Sequence, residues 1–74
     1  GQRDSMFEEV ARYIVMNQAG STSLIQRKFS IGYNRAGRLM DQLENAGIVG
    51  PARGAKPREV LIQDEFQLDQ MLGN

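Results

Sequence analysis

The chain contains no cysteine and no histidine. The first absence excludes disulfides and thiolate metal sites. The second removes the commonest general base and the commonest metal ligand. No apolar run approaches the ~20 residues that span a bilayer, and no signal-peptide pattern is present. There is no excess of either charge: nine Lys and Arg stand against nine Asp and Glu. No phosphate-cradling glycine loop precedes a Lys-Ser/Thr pair, and Gly54-Ala55-Lys56-Pro57 is not one. No nucleophile–base pair and no cluster of metal ligands is visible. A non-enzymatic chain is expected, with no cofactor and no metal.

What is there fits one small folded unit. Seventy-four residues at 41% hydrophobic content make a single compact domain near the lower size limit for a self-sufficient core. Charge is balanced overall but segregated along the chain. Between Ser21 and Met40 stand Arg27, Lys28, Arg35 and Arg38 with no acid among them. Arg53, Lys56 and Arg58 form a second basic group, while Asp4, Glu8 and Glu9 and then Asp64, Glu65 and Asp69 gather near the ends. Such segregation can create a basic face on a neutral protein, although an ordinary solvated surface has the same composition.

The apolar spacing predicts helices. Ser5 to Glu8 has the form of a capping box, followed by Phe7, Val10, Ala11, Ile14 and Val15 at helical intervals. Ala19-Gly20 ends that helix. Ser23 with Gln26 suggests a second capping box before a short helix carrying Leu24, Ile25 and Phe29. The turn is expected at Ser30-Ile31-Gly32, with Gly32 supplying its permissive backbone. A third helix carries Ala36, Leu39, Met40 and Leu43 and stops at Gly47. Ile48-Val49 and the run Arg58 to Ile62 read as strands around a basic loop from Pro51 to Pro57. Asp64 is placed to cap a last short helix with Phe66 or Leu68, Met71 and Leu72 on its apolar side.

The expected fold is therefore mostly α with a small β-hairpin, a winged helix-turn-helix with a three-helix core and a two-stranded wing. Residues 6–62 form the domain. Residues 1–5, beginning Gly1-Gln2-Arg3 without an initiator Met, read as a disordered or artificially appended lead. Residues 63–74 read as a tail. Phe7, Val10, Ile14, Ile25, Phe29, Ala36, Leu39, Leu43, Val49, Val60 and Ile62 are expected to be largely buried.

The third helix carries the chemistry. At about 100° per residue, Asn34, Arg38, Asp41 and Asn45 share the face opposite its apolar stripe. An amide, a guanidinium and a carboxylate are the groups that read base edges: Asn pairs with adenine, Arg with guanine, and a carboxylate accepts from cytosine. The bland alternative is a solvated face with an Arg38–Asp41 ion pair at i, i+3. Arg27, Lys28, Tyr33 and Arg35 suit contacts to a DNA backbone, and Arg53, Lys56 and Arg58 suit contacts from the wing, Arg58 least because it sits inside the strand. Gly37 lies inside the helix at a cost of about 1 kcal/mol relative to Ala.

The run Gln26-Arg27-Lys28-Phe29-Ser30-Ile31-Gly32-Tyr33-Asn34-Arg35-Ala36-Gly37-Arg38, with Leu43-Glu44, Gly47-Ile48-Val49 and Arg58-Glu59-Val60-Leu61 after it, resembles the C-terminal gamma domain of FtsK/SpoIIIE-type DNA translocases. The resemblance runs from about Met6 to Ile62. It implies a winged helix at the end of a membrane-anchored, hexameric, ATP-driven DNA pump. It implies recognition in double-stranded DNA of short, asymmetric, G-rich octamers that load and orient the motor for chromosome segregation during cell division. It also implies a Xer-type recombinase as a partner and a place on the cytoplasmic side of a bacterial division septum, with no membrane contact by the domain itself. The family's readout positions fall on Asn34, Arg38 and Asp41. Asp41 stands where the family often has Glu, and Gly37 where it has Ala.

Two other functional classes compete. A winged-helix interaction module would dock its basic face on a recombinase or another partner. A regulatory piece of a nuclease or recombinase lacks any catalytic residue here. Discrimination between an asymmetric G-rich octamer and its scramble separates the first reading from the second.

Overall fold

The apolar stripe from Ala36 to Leu43 organises the molecule, because every other element packs to cover it or its neighbours. The computed structural model describes residues 2–73; Gly1 of the expected lead and Asn74 of the tail lie outside the described residues. Four helices follow one another: α1 (Phe7–Asn17), α2 (Thr22–Phe29), α3 (Tyr33–Asn45) and α4 (Glu65–Leu72). Phe7, Val10, Ala11, Ile14 and Val15 of α1, Ile25 of α2, and Ala36, Leu39, Met40 and Leu43 of α3 meet in one core. Ile48, Val49, Ile62 and Leu68 close it. No polar or charged residue is buried among the described residues. Of the expected core, Phe29 and Val60 are only half-buried at its edge.

The helix starts differ from the expected caps. Ser5 does not cap α1. The N-cap is Met6, without a side-chain cap bond, and Asp4 turns the chain into it, its Oδ1 accepting from the Met6 N–H at 2.8 Å while its carbonyl accepts from Phe7 N–H at 2.9 Å. An Asp side chain turned onto the backbone two residues on is a stable local turn. In α2 the cap is Ser21, whose Oγ accepts from the Leu24 N–H at 3.2 Å, and the Ser23 hydroxyl lies 3.1 Å from it. Starting at Thr22 lengthens α2 and still buries Ile25 completely. The turn into α3 also uses another residue. Ser30 takes the left-handed conformation at φ 54°, and Gly32 is an ordinary extended N-cap. Gly47, at φ +80°, ends α3 as expected.

Residues 48–62 fold back on themselves, but the expected two-stranded hairpin is not a continuous ladder. Val49 pairs with Val60, Gly20 with Arg58, and Arg53 with Lys56, each as a single antiparallel pairing. The loop composition explains this. Pro51 and Pro57 have no N–H to give. The Arg53 guanidinium occupies the Pro57 carbonyl at 2.7 Å. The return segment then divides its partners: Arg58 N–H donates to Gly20 O at 2.8 Å, and Leu61 N–H to Ile48 O at 2.9 Å. Gly20 is required at that meeting, since a Cβ there would collide with the Arg58 carbonyl.

Described residues near both ends lie against the helices. Asp4 N–H donates to Gln42 Oε1 at 3.0 Å, and Arg3 stacks 4.2 Å from the Phe7 ring centre. At the other end, α4 is capped by Asp64 as expected, with Gln67 N–H donating to its Oδ1 at 2.9 Å. Leu68 is its buried residue, whereas Phe66 is 72% exposed. Arg12 ties α1 to α4 through Glu65 at 3.5 Å and Asp69 at 2.7 Å, the latter as an ion pair off hydrogen-bond alignment, and pairs within α1 with Glu8 at 3.1 Å. The Asp69 and Glu8 carboxylates raise the Arg12 pKa further above its ordinary value.

Candidate nucleic-acid interface

Turning Ala36, Leu39, Met40 and Leu43 inward forces Asn34, Arg38 and Asp41 outward. All three are exposed. The Asn34 and Arg38 side chains make no hydrogen bond or ion pair among the described residues. The Arg38–Asp41 pair of the bland alternative does not form. Asp41 instead lies 3.4 Å from Arg58, and its own side chain stays 70% exposed.

One flank of α3 is neutralised. Arg35 meets Asp4 through two hydrogen bonds, Nε to Oδ2 at 2.9 Å and the terminal nitrogen to Oδ1 at 2.8 Å. This bidentate pair holds the Asp4 carboxyl at about 2, below its ordinary 3.8, with help from the Met6 N–H and a smaller attraction to Arg38. The Arg35 pKa is raised by the same contact. The sign for stability follows. A carboxylate with a depressed folded pKa contributes stability above its ordinary pKa and loses it as pH falls toward the folded value. Asp4→Asn is therefore expected to flatten the loss of thermal stability between about pH 3.8 and pH 2, measured by melts across that window.

The other flank opens into a groove of about 490 Å³ between the start of α2, the Tyr33–Gly37–Asp41 edge of α3 and the 52–58 segment. Tyr33 stands at it, 72% exposed. Lys56 lines it and is exposed. Arg58 is not at a loop tip. It lies along α3, donating to Met40 O at 3.3 Å and Glu44 Oε1 at 3.2 Å, with a side chain only 13% exposed. Arg53 turns back on its own loop through Pro57 O. On α2, Arg27 is exposed, and Lys28 Nζ sits 5.5 Å from the Tyr13 ring, which meets Phe29 edge-on at 5.6 Å. The structure thus brings Asn34, Arg38, Asp41, Tyr33 and Lys56 around one side of α3. Arg35 and Arg58 are held by acids on its two flanks, and Arg27 and Lys28 stand apart on α2.

Against this geometry, the family model of the Ftsk gamma domain matches residues 1–63. The chain belongs to the FtsK gamma domain family. Its relatives agree. It is 57% identical over all of its length to the DNA translocase FtsK of Chlorobaculum tepidum, of which it covers 9%. It is 54% identical over 59 residues, 80% of its length, to the DNA translocase FtsK of Staphylococcus aureus, covering 8% of that protein. With the DNA translocase FtsK of Streptococcus pyogenes it shares 55% over 58 residues, 78% of its length and 7% of the relative. This gamma domain spans less than a tenth of the proteins it resembles. The family match ends one residue before Asp64, yet α4 beyond it is packed into the same core through Leu68. No helix among the described residues is long and apolar enough to cross a membrane.

Sequence reasoning missed Asp4, Gln42 and Glu44, the side chains that fix the flanks of α3. Asp4 lies 31 positions from Arg35, and no periodic signal links residues that far apart. An isolated acid just before a helix, facing a segment with four bases and no acid, was the only cue.

Proposed function

We propose that this gamma domain is a sequence-specific reader of double-stranded DNA, with α3 entering the major groove and the 50–59 segment serving as a wing. The observation that carries the reading is the outward row of Asn34, Arg38 and Asp41 on the helix that follows a three-residue turn. Arg38 reads guanine through O6 and N7, Asn34 reads adenine or an adjacent guanine, and Asp41 accepts from a cytosine amino group. Arg27, Lys28 and Tyr33 serve the DNA backbone, and Lys56 contacts it from the wing; the pairing of Arg35 with Asp4, of Arg53 with the Pro57 carbonyl and of Arg58 with Glu44 favours support of the frame over direct contact. The target is a short, asymmetric, G-rich chromosomal motif. Its recognition loads and orients a hexameric, membrane-anchored translocase at the septum, with a Xer-type recombinase as a further partner. With zero net charge, one copy binds weakly, and several copies on one motor bind by avidity.

Binding of the fragment to a random duplex library at fixed salt, with sequencing of the bound fraction, tests this. Enrichment of one asymmetric G-rich octamer is expected. Recovery of an unenriched pool removes the reading and leaves an interaction module. Phosphate contacts have their own signature. Arg27→Ala and Lys56→Ala are expected to weaken binding to all duplexes alike and to flatten its salt dependence by about one counterion each. A changed sequence preference in either variant would assign that residue to base readout instead.

A further inference from the structure

Gly37 is the third residue from Asn34 on the outer side of α3, and nothing inside the molecule accounts for it. Glycine is a poor helix former, and α3 continues for eight residues beyond it. Its backbone is not in the left-handed region that favours glycine. A Cβ built at Gly37 meets nothing within 4 Å among the described residues. Both ordinary reasons for a helical glycine, an unusual φ and a close neighbour, are therefore absent. Gly20 shows the contrast, since there a Cβ would strike backbone.

What Gly37 does border is the groove. Its walls are Ser21, Thr22 and Ser23 at the start of α2 and Lys56 in the 52–58 segment, with Gly37 on the floor between Tyr33 and Asp41. On the helix, Gly37 stands about 60° from Asn34 and about 40° from Asp41, on the flank of the readout row. When one face of a helix points at base edges, its flank faces the sugar–phosphate strand bordering the groove. That strand is the occupant that fits: it is anionic, the walls offer hydroxyls and the Lys56 ammonium, the one carboxylate of the lining, Asp41, is paired with Arg58, and the floor at Gly37 itself carries no side chain.

We infer that Gly37 is a specificity-determining position, a bare stretch of helix that lets one DNA strand settle into this groove and so sets how deeply α3 enters the duplex. The inference rests on the DNA-reading function proposed above. It assigns to the missing side chain a role in bringing Asn34 and Arg38 within reach of base edges. A methyl group at this position, such as the resembled family carries, would set the strand farther from α3 than this chain's glycine does, lengthening base contacts on this chain's preferred duplex first and contacts to random duplex least.

The test is Gly37→Ala, with thermal melting and binding to both the library-selected duplex and its scramble. The two readouts are expected to move in opposite directions. The melting temperature rises, because Ala favours the helix and its methyl meets no neighbour. Affinity for the selected duplex falls roughly tenfold, with a smaller fall on the scramble. A variant that is more stable and binds both duplexes as the parent does overturns the inference and leaves the DNA-reading function standing. A variant that is less stable also overturns it, since the glycine would then serve the fold. A parent chain that selects no duplex at all overturns both readings together.

Discussion

Arg38→Ala is expected to reduce affinity for the selected duplex by about 1–3 kcal/mol, roughly five- to a hundred-and-fifty-fold, and affinity for random duplex far less. The size follows from what one bidentate contact to guanine contributes to discrimination. The selectivity follows from where the side chain stands. Arg38 is exposed and makes no intramolecular hydrogen bond or ion pair among the described residues, so its removal leaves no buried partner behind. Its electrostatic neighbour Asp4 keeps its bidentate contact to Arg35. The circular dichroism spectrum and melting temperature are therefore expected to match those of the parent, and the two affinities are to be measured after that check. Equal losses on both duplexes would make Arg38 a phosphate clamp. No loss on either would mean that this face does not touch DNA, and the interaction module would take over.

The second large effect concerns folding. Leu68→Ala is expected to destabilise the domain by about 2–5 kcal/mol, since it removes a completely buried side chain and leaves a cavity. Small domains have about 5–15 kcal/mol of total stability, so the loss is a large fraction of the whole. At this chain length it lowers Tm by at least ~10 °C. Phe66→Ala is the control. Phe66 is the larger residue and lies two positions away, but it is 72% exposed, and its truncation is expected to stay within about 0.5 kcal/mol. Thermal or urea unfolding of the two variants checks the pair. Equal stability of Leu68→Ala and the parent would mean that α4 is a dispensable appendage.

The contrast between Leu68 and Phe66 also shows how far the sequence is legible. Both were candidates for the apolar side of the last helix, because an eight-residue helix has too few turns to define a stripe. In α1 and α3 the repeat is long enough, and Phe7 to Val15 and Ala36 to Leu43 are buried as their spacing predicts. The outward row on α3 was legible for the same reason: once the inner face is fixed, the outer face follows from 3.6 residues per turn. Partners distant along the chain were not legible. Arg35 looks like a free cation until Asp4 is placed beside it, and Arg58 like a loop residue until Glu44 and the Met40 carbonyl are. The caps expected for α1 and α2 failed more locally. Ser21-Thr22-Ser23 offers hydroxyls in several registers, and α2 takes the first, next to the Gly20–Arg58 pairing. The wing is the hardest part to read, since Val49 and Val60 pair as expected while Pro51, Pro57 and the Arg53 side chain interrupt the ladder between them.

The separation of the two faces of α3 gives the domain a property that few binding sites have. The side chains at positions 34, 38 and 41 are exposed, and among the described residues only Asp41 has a partner, Arg58, so under the reading proposed above the code is nearly decoupled from the scaffold that presents it. A combinatorial library randomised at these three positions alone would consist almost wholly of folded members, and selecting it on different duplexes would yield readers with altered targets on one unchanged frame. Under the same reading, such a domain can follow a drifting motif by single surface substitutions that cost folding little. In most compact enzymes the corresponding change passes through the core and must be compensated there.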